Sequence, residues 1–221
     1  MKSDSIFFPL LALWFIALAI LGFSPTFRST IEDHSVAVYV KIHGFVFVTW
    51  LLLFFLQAVL IRLKKPKIHI LLGKTSVLVA IAMVVTGLWV AFQATPDNGG
   101  RMLGQQIKII SLFACFFTLG MTFRKISDQH KRYMVFATIN IMSPAIFRIK
   151  LWGINEHPSL IFAIIFIPTI AIVVYDLVTI KRLNKATIVG VSLILGVGLV
   201  TGLFYKTNIW ASFVEGVISG F

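Results

Sequence analysis

Residues 37–61 (AVYVKIHGFVFVTWLLLFFLQAVLI), the basic turn 62–68 (RLKKPKI) and residues 69–93 (HILLGKTSVLVAIAMVVTGLWVAFQ) decide the fold. Two apolar runs, each long enough to cross a bilayer as a helix, flank a short cationic turn. The same unit recurs along the chain. Apolar runs are read at about 6–23, 37–61, 69–93, 104–123, 130–150, 159–180 and 186–205. They predict an all-α integral membrane bundle of seven transmembrane helices forming one domain over residues 1–221. The composition agrees: of 221 residues 58% are hydrophobic and only 13% charged, too little polar surface for a soluble domain.

Charge sets the expected orientation. Arg62, Lys64, Lys65 and Lys67, then Arg124, Lys125, Lys131 and Arg132, then Lys181, Arg182 and Lys185 fall in alternate connections. With Lys2 and Lys74, that side holds 13 basic and three acidic residues, against seven and five on the other. The positive-inside rule predicts a cytoplasmic N-terminus and an outer C-terminus, as an odd number of spans requires. The net charge of +12 is thereby assigned to anionic lipid headgroups at the cytoplasmic face, and nucleic acid is not expected as a partner. The first span is read as an uncleaved anchor, because Gly22-Phe23-Ser24-Pro25-Thr26 lacks a small-x-small cleavage pattern. A single Cys115 rules out a disulfide framework or a thiolate metal cluster.

Local signals mark the helix ends. Pro66 suits the first turn of the third helix, Ser127-Asp128 caps the fifth, and Asn184 caps the seventh. Thr95-Pro96-Asp97-Asn98-Gly99-Gly100 reads as a turn. Pro144 and Pro168 lie inside helices, and Gly190, Gly196, Gly198 and Gly202 read as close-packing positions. At the end, Trp210, Phe213, Val214, Val217, Ile218 and Phe221 share one helical face. Residues 208–221 are expected to form a short amphipathic interfacial helix.

Polar residues inside spans are the candidate site, because they are costly there. His43, Trp50 and Gln57 recur every seven residues on one face of the second helix. His69 and His130 each stand in the first turn of a helix starting at the cytoplasmic face, where the dipole favours neutral imidazole. Such a pair can hold a divalent metal or haem b, or bind lipid phosphate at helix N-termini. Asp176 is a third ligand, an acceptor behind the ligands, or a partner for Arg132. His43 with His157 is a possible outer pair. Arg148, near one line with Asn140 and His130 on the fifth helix, snorkels or binds an anion, and Lys108 does likewise. No His-Glu-x-x-His, nucleophile elbow, phosphate loop or dinucleotide fingerprint occurs, so the expectation leans away from an enzyme.

Lys41-Ile42-His43-Gly44 with Trp50, Gln57, His69 and Leu72-Gly73-Lys74, then His130-Lys131-Arg132-Tyr133-Met134, Pro144-Ala145 with Arg148, and Lys185-Ala186-Thr187 with Trp210 form a set spanning almost the whole chain. In these residues the chain resembles a widespread family of bacterial polytopic inner-membrane proteins to which no activity is assigned. The resemblance implies a multi-pass protein of a bacterial inner membrane. It also implies that a third inner histidine is missing, since members often carry His where this chain has Asn184. Histidine placement is more weakly similar to that of two-haem transmembrane cytochromes. The functional expectation is a polar inter-helix site that binds metal or haem in a redox or membrane-accessory role. The alternative is a small transporter or lipid-binding protein without a metal.

Overall fold

A computed structural model describes residues 6–32, 36–150 and 156–220, with side chains described except at 25–32, 97–99, 101 and 158. It is all-α. Among the described residues eight helices follow in order: α1 (Phe7–Glu32), α2 (Val38–Arg62), α3 (Pro66–Gln93), α4 (Thr95–Thr122), α5 (Ser127–Ile146), α6 (Pro158–Thr179), α7 (Lys185–Phe204) and α8 (Asn208–Ile218). Six of them, α1 to α4, α6 and α7, are long and apolar enough to cross a membrane. The fifth run does form a 20-residue helix, α5, but its first turns carry Asp128, His130, Lys131 and Arg132. Those residues keep it outside that set. Instead it is lined by protein: Tyr133, Val135, Phe136, Ala137, Thr138, Ile139, Ile141, Met142, Ala145 and Ile146 are all buried.

The helix ends follow local chemistry. Pro66 opens α3, where a missing N–H costs nothing. The Asn184 side chain accepts from the Ala186 N–H at 2.9 Å and caps α7, as expected. One reading is corrected. Thr95–Gly100 is no turn but the start of α4, which Pro96 tolerates at its first positions. The first apolar run is a candidate span at Phe7–Ser24, and its helix continues through Ser24-Pro25 to Glu32. At the other end of α2, Lys64 N–H reaches the Ile61 carbonyl at 3.0 Å and Lys65 N–H the Leu60 carbonyl at 2.9 Å, a Schellman motif. The left-handed residue it needs is Lys64 (φ 57°), not glycine, and Lys181 (φ 58°) repeats this after α6. Each costs about 1–2 kcal/mol relative to glycine's free choice.

The chain divides into two compact units. One comprises the residues up to Thr86 together with Met142–Pro168; the other comprises Gly87–Ile141 with Thr169–Phe221. In the first, α1 packs along α2, with Phe15 against Phe54 (centroids 6.1 Å) and Phe23 against Phe47 (5.7 Å). Gly22 lies against the Ala145 carbonyl so closely that no Cβ fits there. In the second, α4 packs on α7 and α8. Phe116 stacks on Phe136 at 5.5 Å, and Gly190 admits the Phe136 ring where any side chain would collide. Gly196, Gly198 and Gly202 meet nothing within 4 Å, so of the four α7 glycines only Gly190 is a close-packing position among the described residues.

Candidate functional site

Two groups of polar side chains stand out on the helices, one in each unit. In the first unit they line the seam of the α2–α3 hairpin. The seven-residue spacing does put His43, Trp50 and Gln57 on a common face, and Trp50 is buried. Residues equally far from the Lys64–Lys65 turn meet across an antiparallel hairpin. His43 Nδ1 thus lies 2.9 Å from Thr86 Oγ1, and Gln57 faces Gly73, where a Cβ would stand 3.9 Å from the amide nitrogen, an ordinary contact. The Thr86 hydroxyl gives its one proton to the Ala82 carbonyl at 2.7 Å, so it accepts from His43 Nδ1–H. His69 Nδ1 donates to the Gln57 backbone carbonyl at 3.3 Å.

The Gln57 amide is the exception to this pairing. Both its Oε1 and its Nε2 are buried, and neither has a hydrogen-bond partner among the described residues. A buried amide with no partner costs about 1–3 kcal/mol or more, and an apolar setting without water raises the cost. Native proteins rarely leave such a group empty-handed.

The second unit holds the opposite case. Arg132 and Asp176 are 1% and 0% exposed, and they form an ion pair. Arg132 Nε donates to Asp176 Oδ1 at 2.8 Å and Nη2 donates to the same oxygen, while Nη1 donates to the Asp128 carbonyl at 2.6 Å. Asp176 Oδ2 accepts from the Asn184 N–H at 2.9 Å and from the Thr187 hydroxyl at 2.5 Å. Four donors saturate the carboxylate's acceptor sites. The guanidinium also lies over the Tyr175 ring, 5.6 Å from its centroid. The network ties α5, α6 and α7 together. At its edge, the Lys131 ammonium on Asp128, 2.8 Å away, holds that carboxyl below the usual carboxylate range.

The structure places most of the expected residues. Of the three roles read for Asp176, partner of Arg132 is the one it fills, and its occupied oxygens do not suit a metal ligand. His69 and His130 fall in different units. His130 Nδ1 donates to the Gly120 carbonyl at 2.7 Å. Both rings therefore carry a proton on Nδ1. Arg148 donates to the Pro144 carbonyl at 2.8 Å and covers the Phe23 ring at 5.4 Å. His157 is exposed, and its carbonyl accepts from the first turns of α6. His34 lies outside the described residues. No group of three His, Cys, Asp or Glu side chains placed to hold a metal occurs among the described residues. Thr86 and Thr187 were not foreseen as partners; their distance from the hairpin turns was the available signal.

No family model, curated protein or solved structure matches the chain. What defines its class is the all-α architecture, with six helices long and apolar enough for a multi-pass membrane protein.

Proposed function

We propose that this is a multi-pass protein of a bacterial plasma membrane that binds a small hydrogen-bonding amphiphile at the α2–α3 seam. The unpartnered Gln57 amide carries the reading. It offers one acceptor and two donors on a helix that is otherwise apolar around it, beside the side-chain-free Gly73. A hydroxyl, amide or protonated carboxyl group supplies the matching donor and acceptor in one head, and a hydrocarbon tail suits the surroundings. In the proposed topology α5 is the seventh span, enclosed by protein, which accounts for its polar sequence. The basic turns face the cytoplasm and anionic headgroups, and α8 lies at the outer interface.

The test compares solvent extracts of purified wild-type protein and Gln57→Leu by mass spectrometry. A species present in stoichiometric amount only in the wild type supports the proposal. Identical extracts, together with an ordered water bridging Gln57 in an experimental map, overturn it.

A second reading, metal or haem bound by histidine, has one observation in its favour. At His69 and His130 a backbone carbonyl takes the Nδ1 proton, the arrangement that orients Nε2 towards a ligand in metal sites. The reduced-minus-oxidised visible spectrum and a metal analysis of gently purified protein decide it. A Soret band lost in His69→Ala or His130→Ala establishes haem; a flat spectrum with no stoichiometric metal removes this reading.

A further inference from the structure

A cleft of about 550 Å³ opens in the second unit where α4, α7 and α8 meet, away from the α2–α3 seam. Its walls include Gln105, Gly202, Tyr205, Lys206, Trp210 and Glu215. The aromatic side is firmly built. Tyr205 donates its hydroxyl proton to the Gly104 carbonyl, where the lack of a Cβ makes room for its ring. Trp210 packs on Tyr205 at 4.8 Å and is buried together with Ala91, Leu103 and Val214. Lys206 and Glu215, by contrast, are exposed on the same cleft, and neither forms an ion pair among the described residues. A cation and an anion that share a concave site without neutralising each other complement a zwitterion.

We propose that this cleft binds the headgroup of a zwitterionic phospholipid bearing a primary amine. Lys206 contacts the phosphate, Glu215 accepts N–H bonds from the ammonium, and Trp210 and Tyr205 flank the ammonium. Two further features select a lipid over a soluble zwitterion. Ile209, 73% exposed, and Phe213, 46% exposed, keep apolar surface beside the cleft. Below it, Gly202 and Gly198 stand one turn apart on α7 with nothing within 4 Å, beside the exposed Leu199 and Leu203. Gly202 lines the cleft, and both glycines face open space, where an acyl chain would lie. A carboxylate on the ammonium requires N–H donors, which ethanolamine has and choline lacks.

The test is native mass spectrometry of the full chain in detergent with equimolar phosphatidylethanolamine, phosphatidylcholine and phosphatidylglycerol of matched acyl chains. Wild type should retain the ethanolamine lipid over phosphatidylglycerol by about ten-fold, the equivalent of one charge-assisted hydrogen bond. Glu215→Gln should drop ethanolamine-lipid retention to the choline level. Lys206→Gln should lower both, and Gly202→Leu should lower all three by filling that open space. All three positions are exposed, so melting temperatures of the lipid-free variants should match the wild type. Equal retention of the three lipids by wild type, or retention unmoved by Glu215→Gln and Lys206→Gln, overturns the proposal. Displacement of the lipid by an equal concentration of phosphoethanolamine overturns the lipid assignment in favour of a soluble zwitterion.

Discussion

Arg132 with Asp176 in one unit, and Gln57 in the other, confront the same physics with opposite outcomes. All three place hydrogen-bonding groups where water is scarce. The carboxylate of Asp176 is met by four donors from Arg132, Asn184 and Thr187. The amide of Gln57 is met by none among the described residues. A saturated network holds helices in place and has no valence left for a ligand. An unsaturated group holds nothing in place and keeps its full capacity to bind. Polarity in a span is therefore not one signal but two, told apart only by counting partners.

The comparison can be broken most decisively at Asp176. Asp176→Ala strands the Arg132 charge in a site 1% exposed, so unfolding in detergent should become easier by about 3–5 kcal/mol. A loss under about 1 kcal/mol would mean that the network carries little of the α5–α6–α7 packing. Gln57→Leu should act with the opposite sign. Removing an amide that has no partner should raise stability in the ligand-free protein by about 1–3 kcal/mol. Destabilisation there would show that a water or a ligand already satisfies the amide, and melting with and without lipid extract separates the two.

Smaller effects sharpen the contrast between units. Lys64→Gly and Lys181→Gly each relieve a left-handed residue, and each should stabilise by about 1 kcal/mol, part of the relief being returned as unfolded-chain entropy. Unequal gains would locate extra strain in one hairpin. The smallest effect belongs to Asp128. Its carboxyl, held below the usual range first by the Lys131 hydrogen bond, contributes stability at neutral pH that is lost as pH falls through that lowered value. The group is half-exposed, so screening leaves a few tenths of a kcal/mol. Asp128→Asn should lower stability at pH 7 by those few tenths of a kcal/mol and remove the corresponding part of the acid limb below about pH 4.

Much of this was legible in the residues. The apolar runs, the alternating basic turns, Pro66 and the Asn184 cap mark the helices because each depends on local chemistry alone. The turn at residues 95–100 was misread, since Pro and Gly punctuate a chain yet Pro96 is equally at home in a first helical turn. His43, Gln57, His69 and Asp176 were legible as polar residues inside apolar runs. Their partners were less so, because pairing depends on which residues face each other across a turn. Register brings Thr86 to His43 and Thr187 to Asp176, and no property of the threonines themselves announces it. The α7 glycines divide for the same reason: Gly190 meets a ring, and Gly196, Gly198 and Gly202 meet nothing.

Each helical hairpin with a basic turn carries a bond close to that turn: His69 to the Gln57 carbonyl, His130 to the Gly120 carbonyl and Thr187 to the Asp176 carboxylate. The bonded residues are 12, 10 and 11 apart in the chain. Closing so short a loop costs little entropy and needs nothing from the rest of the molecule. A nascent chain can therefore fasten each pair of helices as soon as its second helix emerges, and the order of synthesis becomes the order of assembly.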